Sequence, residues 1–197
     1  YWKKKKKYPD TAELKPYEFI LSGEPTYAET GTILREELIK NGGNYPPETL
    51  AEAFSLDRQI LYKKIIVPAL KENKIIIQDR GLSTTMAYQP LTSKNLTVKY
   101  LSKLEGNKTA LKYCPDYLII IKVKPEEAIK RLSKRNKKDN SIFEKLQFLK
   151  KINLVYQSKQ YQKIFTAQKT KILYLDGNQK IDIMKKESIK LLKNIIG

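Results

Sequence analysis

Short apolar runs alternate along this chain with longer segments whose apolar residues recur at three- and four-residue spacing. Residues 17–22 read as a strand. Residues 30–40 read as an amphipathic helix, with Ile33, Leu34 and Leu38 on its apolar side and Asn41-Gly42-Gly43 as its stop. Pro46-Pro47 opens a second helix, predicted to reach about residue 70 with an irregularity at Pro68. Residues 74–78 are a buried-type strand and residues 82–88 a helix. One further helix is expected over 96–104, followed by a turn at Glu105-Gly106-Asn107-Lys108. The run 117–123 is the clearest strand, and its continuous apolar character suits a parallel strand covered on both faces. Pro125, Glu126 and Glu127 open a helix to about residue 134. Residues 135–141 read as a polar, basic loop and 142–165 as one long helix. A last strand is expected at 172–175 and a final amphipathic helix at 181–195. This order predicts an α/β protein with a parallel sheet, a single domain over residues 1–197 and no internal repeat.

Composition narrows the chemistry. The length of 197 residues suits one well-packed domain, and 41% hydrophobic with 30% charged residues suits a soluble globular chain. No apolar run is long enough to span a bilayer, so no membrane partner is expected. The absence of His and the single Cys114 exclude a Ser-His-Asp triad, a His/Cys zinc site and an intramolecular disulfide. A lone cysteine suits a reducing compartment, with the cytoplasm as the expected location. The net charge of +18 has two readings: contact with nucleic acid, or a lysine-rich surface handling anionic substrates. The lysines are spread along the chain, and no aromatic-interleaved basic motif appears, which weighs against nucleic acid. The one dense run, Lys3 to Lys7, precedes Tyr8-Pro9 and suits the end of a helix.

The stretch Asp79-Arg80-Gly81-Leu82-Ser83-Thr84-Thr85-Met86-Ala87-Tyr88-Gln89 directly follows the strand at 74–78. An Asp-Arg pair there stands at the carboxyl edge of a parallel sheet, where ligands bind in open α/β folds. Asp79 suits a metal ion or its waters, and the planar fork of Arg80 suits phosphate. Phe54 and Arg58 are one helical turn apart, so an aromatic plane and a guanidinium share a face able to stack a base and bond its carbonyl edge. Periodicity alone favours Phe54 as a core residue. Arg131, Lys134, Arg135, Lys137 and Lys138 form a basic segment which, by itself, reads as a solvated face.

Several motifs occur in one order. They are Gly23-Glu24-Pro25-Thr26, Gly31-Thr32-Ile33-Leu34-Arg35, Phe54-Ser55-Leu56-Asp57-Arg58, Val67-Pro68-Ala69-Leu70, Asp79-Arg80 with Ala87-Tyr88-Gln89, Pro115-Asp116-Tyr117, Arg131 to Arg135, and Phe148-Leu149. In this order and spacing they resemble the thymidylate kinase family over nearly the whole chain. The resemblance implies a three-layer α/β fold of the P-loop nucleoside monophosphate kinase type. It implies transfer of the ATP γ-phosphoryl group, with Mg²⁺, to dTMP, giving dTDP. Phe54 and Arg58 would then recognise thymine. Arg80 would hold the acceptor phosphate or the transferring group, the plainer reading being a surface ion pair with Asp79 or Glu36. Thr84, Thr85, Tyr88 and Gln89 would line the nucleoside pocket, with Tyr88 against the sugar; their plainer reading is a capped helix start. Glu24 and Arg35 fall near the same pocket, and Asp79 is the metal candidate. Residues 132–142 would be a lid over the phosphates, with Arg131 and Arg135 as its charge-stabilising candidates and Asp139 and Glu144 behind them. Gly177, Asn178 and Gln179 would pass near adenine. A homodimer pairing through the helix that carries Phe54 is a family-level expectation.

The chain departs from the family pattern in four places. From Tyr1 onward it holds no first strand with Gly-x-x-x-x-Gly-Lys-Ser/Thr, the loop that cradles donor phosphates. The expectation is a fragment whose start, roughly 20 to 30 residues on the scale of part of a βαβ unit, is lost. A split gene or a degenerate, non-catalytic relative is the alternative. The 197-residue chain alone is therefore expected to be poorly stable and inactive. Gly23 and Gly81 stand where Arg and Tyr or His are usual, and Tyr8 to Pro16 is longer than usual. These keep open a related deoxynucleoside or deoxynucleotide kinase with another acceptor. The charge and the missing loop keep open a non-catalytic relative that binds nucleic acid.

Overall fold

The computed structural model describes residues 2–39, 45–134 and 145–197. These fall into two compact units, Tyr1–Cys114 and Pro115–Gly197. Each is built on a pair of parallel strands, as the βαβ order predicts.

The first unit opens with two single-turn helices, α1 (Trp2–Lys5) and α2 (Thr11–Leu14). Strand β1 (Phe19–Gly23) pairs in parallel with β2 (Ile75–Asp79), with Phe19 opposite Ile75 and Gly23 opposite Asp79. The crossover contains α3 (Thr30–Ile33), which widens into a π-helical turn over Leu34–Leu38. Next comes α4 (Pro47–Leu61), with Pro47 at a first turn where its missing N–H costs nothing. The predicted irregularity near Pro68 is a π-helical turn at Tyr62–Ile66, and α5 (Val67–Lys71) restarts with that proline in its first turn. Helix α6 (Leu82–Tyr88) follows β2 and runs into a 3₁₀ turn at Gln89–Leu91. The core gathers Ile20, Leu34, Ala51, Leu61, Ile65, Met86 and Leu101.

Two expectations change here. The helix predicted over 96–104 is only the single turn α7 (Val98–Leu101), capped by the Thr97 hydroxyl on the Tyr100 N–H. The predicted turn at 105–108 is the start of a helix, α8 (Glu105–Lys112). Gly106 misleads because its role is close packing and not turning. A Cβ there would overlap the Ser55 carbonyl oxygen on α4, and the Gly106 N–H bonds the Ser55 hydroxyl at 3.0 Å. Gly106→Ala is expected to push α8 off α4 and cost about 1–3 kcal/mol, the range for overpacking a close contact. Urea unfolding reads this as a lowered midpoint.

In the second unit, β3 (Tyr117–Lys122) pairs in parallel with β4 (Lys171–Asp176). Between them lie α9 (Pro125–Ser133), α10 (Leu146–Gln157) and α11 (Lys159–Thr166); α12 (Ile181–Ile196) closes the chain. The long helix expected over 142–165 is two helices, its first three residues lying outside the described ones. The break is at Ser158, whose extended backbone ends α10 and whose hydroxyl accepts the Tyr161 N–H, capping α11. Tyr161 and Phe165 are buried beside one another on α11. Among the described residues no helix is long and apolar enough to cross a membrane.

Candidate active site

In the first unit the ladder places Gly23 beside Asp79, so both strands end at one level and release their next residues together. The Glu24 N–H donates to the Asp79 carbonyl at 3.1 Å, extending the pairing one step past the strand. Asp79 and Arg80 are exposed at this edge. Arg80 turns the chain out of the strand with φ +62°. Buried Gly81 then leads into α6, whose Thr84 and Thr85 N–H groups bond the Gly81 carbonyl at 3.0 and 3.2 Å.

Beneath this edge lies a buried polar network. Arg58 is 1% exposed and Glu24 4%. The Arg58 Nε donates to Glu24 Oε1 at 3.2 Å and its Nη2 to Glu24 Oε2, a two-pronged pair. Its Nη2 also reaches the Thr85 hydroxyl at 2.9 Å, and its Nη1 reaches the Asn107 Oδ1. Asn107 is itself held by its amide on the Leu101 carbonyl at 2.8 Å. Gln78 adds a third donor to Glu24, Nε2 to Oε1 at 2.9 Å. Asp57, next along α4, accepts the Thr26 N–H and hydroxyl, both at 2.7 Å. The buried Tyr8 hydroxyl sits 3.3 Å from the Thr26 hydroxyl and 3.5 Å from Asp57. Burial raises the Glu24 carboxyl above its ordinary range against the pull of Arg58. Burial likewise raises Asp57 against the Thr26 donors and Arg58, and raises the Tyr8 phenol.

The structure brings Glu24, Arg58 and Thr85 together, but inside the fold. Four of the five Arg58 N–H donors are engaged by Glu24, Thr85 and Asn107, leaving one Nη1 hydrogen outside these bonds. Phe54, one turn earlier on α4, is half-buried. Arg35 clamps the loop after β1: its Nε donates to the Pro25 and Thr26 carbonyls at 2.9 and 3.1 Å, its Nη2 to Pro25, and its guanidinium lies 3.9 Å over the Tyr27 ring. Tyr88 and Thr84 are half-buried on α6, and burial raises the Tyr88 phenol with the Arg80 charge opposing. Gln89 is buried, and its carbonyl accepts the Thr92 hydroxyl at 2.8 Å.

Sequence reasoning assigned no role to Asp57, Gln78, Asn107 or Tyr8. A signal existed for a buried partner such as Asn107: Ala51, Ser55, Arg58 and Tyr62 recur at four, three and four residues, so Arg58 lies on the buried stripe of its helix and must bring partners with it.

In the second unit, Arg131 on α9 donates Nε to Glu127 at 2.8 Å and Nη1 to the Gly177 carbonyl at 2.7 Å. The loop after β4 is tied further: the Gly177 N–H to the Lys122 carbonyl at 2.8 Å, and the Lys124 N–H to the Asn178 Oδ1 at 2.8 Å. The Asn178 N–H and amide hold the Asp176 carboxyl below its usual range. Gln179 donates to Glu187 at 3.1 Å. Arg131 and the loop carrying Asn178 and Gln179 are thus one assembly. Arg135, Lys137, Lys138, Asp139, Glu144 and most of the expected lid lie outside the described residues.

Among the described residues no cluster of three or more carboxylates and cysteines gathers to form a metal cage. Asp79 stands as one exposed carboxylate. That donor set fits Mg²⁺, which keeps several waters and takes its remaining oxygens from phosphate.

A family model described as thymidylate kinase matches residues 11–188. The thymidylate kinase of Kosmotoga olearia is 27% identical over 88% of this chain and 80% of its own length. That of Aster yellows witches'-broom phytoplasma is 31% identical over 81% and 79%. A probable thymidylate kinase of Methanococcus aeolicus is 32% identical over 88% and 82%. The crystal structure of thymidylate kinase from Ehrlichia chaffeensis superposes with a TM-score of 0.62 at 19% identity, covering 92% of this chain and 86% of that one, and so shares its fold.

Proposed function

This chain belongs to the thymidylate kinase family, and from that premise we propose which of its residues serve the phosphorylation of dTMP to dTDP. The observation that carries the assignment is the exposed Asp79–Arg80 pair at the carboxyl edge of β2, seated on the buried Glu24–Arg58 pair.

Arg80 grips the acceptor phosphate, its fork matching two phosphate oxygens as charge spreads over them. Phe54, Thr84, Tyr88 and Gln89 take the nucleoside, with Tyr88 toward the sugar. Arg58 and Thr85 back this pocket from inside, and Glu24 fixes Arg58; a direct contact of Arg58 with thymine would use its remaining Nη1 hydrogen. Arg35 holds the loop after β1. ATP is the donor. Arg131 with Asn178 and Gln179 takes its nucleoside end, and Arg135 adds charge at the phosphates. Asp79 would hold Mg²⁺, which would supply charge neutralisation at the phosphates. The residues bind, orient and neutralise, and no covalent enzyme intermediate is needed. A homodimer pairing through the α4 surface, where Leu56 is exposed, accompanies this reading.

The test is an acceptor panel of dTMP, dUMP, dCMP, dGMP and thymidine with ATP and Mg²⁺, run on the chain extended by the family's strand and donor-phosphate loop and read as nucleotide product. dTDP should form fastest. Faster turnover of thymidine or of another monophosphate would replace this reading with a related deoxynucleoside or deoxynucleotide kinase.

A further inference from the structure

Gln78 sits on β2 directly before the Asp79–Arg80 edge and has no place in the reading so far. Its Nε2 donates to Glu24 Oε1 at 2.9 Å, while the Glu24 N–H is bonded to the carbonyl of the next residue, Asp79, at 3.1 Å. Glu24 is therefore tied to the end of β2 at both its backbone and its carboxylate. The space that Gln78 uses is made by Gly81. A Cβ on Gly81 would lie 2.7 Å from the Gln78 Nε2 and 3.7 Å from Glu24 Oε1, and Gly81 has φ +155°, where a side chain is strained. The amide of Gln78 thus lies where a side chain at 81 would begin.

We propose that Gln78, admitted by Gly81, is a positioning residue that orients Glu24 and through it Arg58 and Thr85, and so sets the affinity for dTMP. This rests on the functional reading above. Gln78 does not reach the reacting atoms. It supplies the one donor to the Glu24 carboxylate that comes from the same strand as Asp79, linking the buried pair to the exposed edge. A hydrogen bond to a charged group commonly supports about a tenfold difference in an equilibrium.

The experiment uses Gln78→Met, which keeps the length and removes the donor, with dTMP titrated calorimetrically and, in the form extended by the donor-phosphate loop, steady-state kinetics alongside. The expected result is a rise of about tenfold in Kd and KM for dTMP, with kcat and the KM for ATP within about twofold. A second arm repeats Gln78→Met in a Glu24→Gln background. There the further loss of dTMP affinity should fall below about threefold, because the bond being removed has lost its charged acceptor. A wild-type chain that binds dTMP, with Gln78→Met binding it equally well, overturns this inference alone. Equal losses for dTMP and ATP also overturn it, since they mark a general structural defect. A wild-type chain that binds no dTMP overturns the functional reading and this inference together.

Discussion

Arg58→Ala is expected to destabilise the first unit by about 3–5 kcal/mol, the usual cost of stripping one partner from a buried ion pair. Glu24 would remain 4% exposed with two of its three donor contacts gone. Asn107 and Thr85 would lose the guanidinium that joins them, and a void would open between α4 and α8. The effect is not a measure of what the pair contributes overall. Removing both charges, as in Glu24→Gln with Arg58→Met, leaves no isolated carboxylate and should recover a substantial part of the loss. Urea unfolding of the single and double variants checks this, the decisive comparison being a double variant more stable than Arg58→Ala. Binding of dTMP should fall in both, because Thr85 and the loop after β1 lose their common anchor.

Arg80→Ala has the opposite profile. The side chain is exposed, so stability should change by no more than about 0.5 kcal/mol. The left-handed backbone at φ +62° burdens Arg and Ala alike. In the form extended by the donor-phosphate loop, activity should drop far more, by about 10²- to 10³-fold in kcat/KM for dTMP, the scale for losing one preorganised donor to developing charge. Arg80→Lys keeps the charge and loses the planar fork, so it should recover only part of the activity. Kinetics beside thermal unfolding separates the two effects. If Arg80 is only a surface ion-pair residue, kcat/KM will stay near wild type.

Most of the architecture was legible in advance because apolar runs and helix starts are local signals. The four described strands lie within two residues of where the apolar runs predict them, and Pro47 and Pro125 stand at helix starts as expected. What was not legible depends on contacts between elements. Gly106 has the composition of a turn, and only its approach to Ser55 shows why glycine is needed inside a helix. Ser158 divides a continuous helical pattern because its hydroxyl is a better cap than a mid-helix side chain. At the candidate site, the motifs pointed to Glu24, Arg58 and Asp79–Arg80 as chemically important. They did not show which residues satisfy Arg58, since these come from the loop after β1, from α6 and from α8, up to 49 positions away. Gln78 was invisible for the same reason, its partner being 54 positions distant.

The measurement that bears most directly on the functional reading is a calorimetric comparison of dTMP with thymidine, which differ only in the phosphate. The expected result is saturable binding of dTMP, with thymidine weaker by about tenfold or more, and a difference that disappears in Arg80→Ala. Equal affinity for dTMP and thymidine, or a preference unaffected by Arg80→Ala, would contradict the assignment of the Asp79–Arg80 edge to the acceptor phosphate.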